Sequence, residues 1–111
     1  MSREDSLRRA KARLDRLGLY PRPVGLRHVR VFVVPWYFRL PWLRRFDGYA
    51  LHGTILLRAE PRPDDDLLCH ELCHVWQMQH RPVAMPLSYL VTGYDRNPYE
   101  LEARRAVEAT R

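Results

Sequence analysis

One stretch of this chain constrains its fold more than any other. From Asp66 to His80 there is neither proline nor glycine, while the segment just before it, Pro61-Arg62-Pro63, cannot lie inside a helix. Asp64, Asp65 and Asp66 stand at the junction, supplying both an N-cap and the negative charge that a helix N-terminus favours. Leu68, Leu72, Val75 and Met78 then fall near a helical period. The pattern predicts a helix from Asp66 to about His80.

Inside that helix the chain reads His70-Glu71-Leu72-Cys73-His74. Residues i and i+4 share a helical face about one turn apart, so both imidazoles can reach one small cation. This is the HExxH pattern, with Glu71 next to the first histidine and directed to the rim of the same site. There a carboxylate can accept a proton from the water that a Zn2+ ion activates. Two helical histidines without a metal are the bland alternative, and the rest of the chain must decide.

Composition sets the frame. A chain of 111 residues, 46% hydrophobic, has apolar mass for one modest core, predicting a single domain over 1–111. No apolar run approaches the roughly 20 residues that span a bilayer, so no transmembrane segment is expected. Met1-Ser2-Arg3-Glu4-Asp5 lacks the apolar stretch of a secretory signal, and a cytoplasmic location is expected. Cys69 and Cys73 are four apart on the predicted helix, where geometry disfavours a disulfide; Cys73 reads as a buried thiol and Cys69 as one close enough to the metal to be oxidation-sensitive. The formal charge of +6 comes from scattered arginines, with Lys11 the only lysine. Without a zinc finger, helix-turn-helix or aromatic RNA-binding pattern, that charge predicts weak polyanion affinity and no specific nucleic-acid partner.

Around the motif, Ser2 to Leu17 reads as a first helix, with Leu7, Ala10, Leu14 and Leu17 on one stripe, most arginines outside it, and Gly18 as its stop. His28 to Val34 reads as a strand ended by Pro35. Tyr49–Leu51 and Thr54–Leu57 read as a hairpin joined through His52-Gly53, and Trp36 to Phe46 as irregular. Residues 81 to 96, with Pro82, Pro86 and Gly93, read as a packed loop or short helix covering one side of the motif. Asn97 caps a last helix with Pro98 at its first position, running to about Ala109.

A catalytic zinc takes three protein ligands and leaves a position for water, so a third residue is needed. Three residues are candidates. Glu100 stands 26 positions after His74, near the start of the final helix, about 60° from the centre of its apolar face, with Glu102 about 100° away. Glu100 is the better placed, although as the third residue after Asn97 it could instead close a capping box. His80 completes an HExxHxxxxxH spacing, but the glycine that turns the chain in metzincin peptidases is Gln77 here; a continuing helix carries His80 about 240° around from His74.

His-Glu-Leu-Cys-His-Val-Trp-Gln at 70 to 77, followed by Asn97-Pro98-Tyr99-Glu100-Leu101-Glu102-Ala103, resembles the gluzincin clan of metallopeptidases in its small, single-domain minigluzincin form. The resemblance covers roughly residues 48 to 108. It implies an α+β, zincin-like fold: an N-terminal helix backing a small mixed sheet of three or four strands, an active-site helix carrying HExxH, and a C-terminal glutamate helix. It also implies Zn2+ held by His70, His74 and Glu100, peptide-bond hydrolysis with Glu71 as general base, and an edge strand, Thr54 to Leu57, that pairs with an extended peptide or unfolded protein substrate. Where many clan members have Asp or Asn four residues after the glutamate to orient the first histidine, this chain has Arg104, which cannot accept a ring N–H. Tyr89, Tyr94 and Tyr99 are candidate donors to a developing oxyanion.

The expected function is therefore a zinc metallopeptidase core. Its alternative is a zinc-binding scaffold or accessory domain with little proteolysis, since so short a chain offers little cleft. A further reading is weak contact with a membrane surface through Trp36, Tyr37, Phe38, Trp42 and Leu43 beside Arg39, Arg44 and Arg45; the competing reading places these aromatics in the core.

Overall fold

A computed structural model describes residues 2–111 and shows an α+β architecture of four helices and one three-stranded mixed sheet. The elements are α1 (Arg3–Leu17), β1 (Arg30–Val33), β2 (Gly48–Leu51), β3 (Thr54–Leu57), α2 (Asp66–His80), α3 (Ala84–Thr92) and α4 (Pro98–Thr110), with a 3-10 helix at Pro35–Arg39. Among the described residues no helix is long and apolar enough to cross a membrane.

Local chemistry sets the helix ends. Ser2 and Asp5 close a capping box at the start of α1, and Gly18 ends it with φ 64°, a left-handed value that glycine adopts without penalty. The Asp65 carboxylate accepts from Leu68 N–H to cap α2, and the Asn97 side chain accepts from Tyr99 and Glu100 N–H to cap α4. In the segment after α2, Pro86 is tolerated because it lies in the first turn of α3.

The strand order is β1-β3-β2, with β1 parallel and β2 antiparallel to β3. This corrects the expectation for Thr54–Leu57, which is the central strand and has no free edge. The open edge beside α2 belongs to β2. Strand pairing depends on contacts distant in sequence, which a hairpin pattern does not encode. In the turn joining β2 to β3, a Cβ at Gly53 would lie 2.5 Å from the His28 carbonyl oxygen, so glycine is required for β1 to approach.

Helix α2 is the centre of the molecule. It packs on the sheet and also touches α1, α3 and α4. Leu68, Leu72, Cys73, Val75 and Trp76 on it are fully buried, each large aliphatic contributing roughly 1.5–3 kcal/mol by leaving water. The Trp76 indole N–H donates to Arg22 O at 2.8 Å and anchors the loop after α1. Helix α1 packs chiefly against α2 and α4, so it backs the HExxH helix more than the sheet. Arg13, on the stripe expected to face solvent, is buried: it donates to Val107 O at 3.1 Å and Thr110 Oγ1 at 3.3 Å, and pairs with Asp66 at 3.0 Å. One guanidinium thus ties α1 to the end of α4 and the start of α2. Cys69 packs beside Arg13 and Thr110, and burial raises its pKa; neither observation places it at the histidine face.

Candidate metal centre

His70, Glu71 and His74 present ligand atoms all within 4.8 Å of one another on α2. Helix α4 returns against α2 and brings Glu100 into contact with both rings: His70 Nε2 lies 2.9 Å from Oε1 and His74 Nε2 lies 2.8 Å from Oε2, while the two Nε2 atoms are 3.1 Å apart. The Asn97 side chain caps the helix, and the Glu100 carboxylate points away to the histidines rather than closing a capping box. Glu100 is 1% exposed. Burial alone would raise its pKa, but the hydrogen bonds from His70 and His74 hold the carboxyl well below the usual range.

The other two candidates lie elsewhere. His80 stacks on Tyr20 with centroids 4.9 Å apart, and its Nδ1 faces Trp76 O at 3.1 Å. Glu102 accepts from Tyr20 O–H and from Gln77 Nε2. Neither touches the two histidines.

Gln77 is the residue that the sequence reading missed. It is fully buried, its Oε1 lies 2.8 Å from His74 Nδ1, and its Nε2 donates to Tyr99 O at 2.8 Å and Glu102 Oε1 at 3.1 Å. Two acceptors fix the amide nitrogen, so the amide oxygen must face the ring. His74 therefore carries a proton on Nδ1, and Nε2 is the atom that faces Glu100 and His70. A cation among these atoms would take the place of the ring protons that otherwise meet the Glu100 oxygens, releasing them on binding. Bonds of about 2.0–2.1 Å at tetrahedral angles separate donor atoms by roughly 3.3 Å, a few tenths of an ångström more than these contacts, so a small outward shift of the side chains would let the set hold a small divalent cation. The only sequence signal for Gln77 was its position, three residues after His74 on the same helical face.

Glu71 is 4% exposed and lies against β2: a Cβ at Gly48 would sit 3.0 Å from Glu71 Cγ and 3.3 Å from Cδ. Glycine at that position lets the carboxylate enter. Burial raises its pKa, opposed by His74 and His70. Burial likewise raises the pKa of Tyr89 and Tyr94, whose hydroxyls keep their protons beside Glu100; Tyr89 donates to Oε2 at 3.3 Å. Tyr99 contributes its carbonyl to Gln77 instead. Arg104 Nε lies 3.4 Å from Glu100 Oε1, and its outer nitrogen 3.7 Å from Asp95.

Two hollows meet at Glu71. One, of about 700 Å³, is wide and charged, bordered by His70, Glu100, Arg104, Arg45 and Asp95. The other, of about 370 Å³, is mainly apolar and runs between the β2 edge and α3, bordered by Leu51, His74, Met78, Met85 and Tyr89. No protein-family model, curated protein or solved structure matches the chain.

Proposed function

We propose that this chain is a zinc-dependent metallopeptidase core in which His70, His74 and Glu100 hold the metal and Glu71 is the general base. The observation that carries the reading is the convergence of the two Nε2 atoms on the buried Glu100 carboxylate, with Gln77 engaging His74 Nδ1 so that Nε2 is the nitrogen left for a metal. A zinc ion held there lowers the pKa of a water toward about 7 and polarises a carbonyl oxygen. Glu71, on the next residue and facing both hollows, takes the proton of the attacking water on a carboxylate oxygen and returns it to the leaving amine. Tyr89 holds Glu100 in place through its hydroxyl.

An extended peptide suits the surroundings. The free edge of β2 offers main-chain hydrogen bonds, and the apolar hollow beside it has room for a large side chain. A folded protein segment would not enter a space of this size, which supports unfolded or flexible chains as substrates.

The test is Glu71→Gln. The variant should keep one zinc per chain and lose turnover of an unstructured protein by about 10²–10⁴-fold. Cleavage at the wild-type rate would falsify the assigned base. If the wild type holds one zinc yet cleaves no unstructured protein, the chain is an accessory zinc domain instead.

A further inference from the structure

In β1, β2 and β3 the side chains alternate, and the register places them on two faces. Val31, Val33, Ile55, Leu57 and Ala50 face the helices, while Phe32, Leu56 and Tyr49 form one row on the other face, next to Leu51. The sheet's main helix contacts, with α2, are on the inner face, while Tyr37 of the 3-10 helix reaches Tyr49 in the outer row. Phe32 is 47% exposed, Leu51 54% and Tyr49 37%. The row continues through ring contacts from Tyr49 to Tyr37 and from Tyr37 to Trp36, which is 64% exposed; in the following turn Trp42 is 70% exposed. Phe38 and Leu43, by contrast, are buried in the core. A second exposed apolar set, Val83, Leu87, Leu90 and Val91, lies on and beside α3, and Leu90 borders the same apolar hollow as Tyr49 and Leu51.

The segment that carries this face is basic, and the register puts Arg30 in line with Phe32 on it. Residues 24–58 hold six arginines and one aspartate, whereas the rest of the chain, with thirteen basic and twelve acidic residues, is close to neutral. The single aspartate pairs with Arg58, and Arg45 pairs with Asp95. Among the described residues Arg27, Arg30, Arg39 and Arg44 have no carboxylate partner, and all four are exposed.

We propose that this face binds the surface of an anionic lipid bilayer, with Trp36, Trp42, Phe32 and Leu51 entering the headgroup region and the unpaired arginines facing lipid phosphates. Tryptophan and tyrosine favour that interface because their rings are amphipathic. Arginines without acidic neighbours add an attraction confined to about one Debye length. Aliphatic Leu56 separates Phe32 from Tyr49 in the row, which suits lipid better than a platform for stacked bases. Tyr49 and Leu51 also border the apolar hollow, so docking would bring the mouth of that hollow to the bilayer.

Sedimentation of the full chain with vesicles tests this. Phosphatidylcholine containing phosphatidylglycerol should bind it at least about tenfold more tightly than phosphatidylcholine alone, with most of the binding lost at ~0.5 M salt. Trp36→Ser with Trp42→Ser should weaken binding by about tenfold or more. Brominated lipid should quench the wild-type fluorescence but not that of the double variant, whose remaining Trp76 is buried. Arg27→Gln with Arg30→Gln and Arg39→Gln, a second variant should the first not fold, should erase the preference for the anionic lipid. The proposal is overturned if no vesicle binds at low salt, if the folded tryptophan variant binds as well as wild type, if a single-stranded oligonucleotide binds more tightly than the vesicles, or if the face proves to join two copies in solution.

Discussion

The two halves of the candidate centre are built on opposite principles. On the inner side His74 is buried and its ring is fixed through Gln77, which is itself held by Tyr99 O and Glu102, and Glu102 accepts from Tyr20 on the far side. On the outer side His70 borders the wide charged hollow, and the guanidinium that reaches Glu100 there, Arg104, is half exposed with only long contacts to Glu100 and Asp95. The inner half is dry and over-determined. The outer half is wet and loosely tied. A site that must hold a metal firmly and still admit water and substrate needs both, and Glu100 joins them by touching one histidine from each side.

Removing that joint should have the largest effect. Glu100→Ala takes away the proposed third ligand, and zinc affinity should fall by more than the roughly 10–100-fold typical of supporting residues. Competition with a chromophoric chelator measures it. Retention of wild-type affinity in Glu100→Ala, with loss in His80→Ala, would move the third ligand to the end of α2 and dissolve the division between the two halves.

Gln77→Leu sharpens the comparison from the inner side. The substitution keeps the volume but leaves His74 Nδ1 without its acceptor in a buried position, which frees the ring to take the wrong tautomer. Zinc affinity should fall by about 10–100-fold. Gln77→Glu, which restores an acceptor for Nδ1 but sets its second oxygen against Tyr99 O and Glu102, should recover only part of it, an outcome that a purely structural role for Gln77 would not produce.

What the sequence made legible was local. The span of α2, the Asn97-Pro98 start of α4 and the preference for Glu100 over Glu102 all follow from period and capping, which involve neighbours within one turn. The relations between elements were hidden. Nothing in the hairpin pattern says that β3 lies between β1 and β2, because β1 pairs with β3 across more than twenty residues. Arg13 falls with the arginines outside the apolar stripe of α1, and its burial depends on carbonyl, hydroxyl and carboxylate partners supplied by α4 and α2. Gln77 was likewise unreadable as a support, since its role exists only once Tyr99 and Glu102 are brought beside it.

Arg104 gives the smallest effect and the sharpest discrimination between the halves. Its guanidinium lies near Glu100 Oε1 and competes with a metal for the electron density of that carboxylate, yet at 46% side-chain exposure water screens most of the attraction. Arg104→Ala should therefore leave zinc affinity within about threefold of wild type, on the tighter side at low salt, with the difference disappearing near ~0.5 M salt. The same titration that follows Gln77→Leu reads it. A loss as large as that of Gln77→Leu, and indifferent to salt, would mean that the outer half is also a fixed support, and that the charged hollow orders the centre instead of merely opening it to solvent.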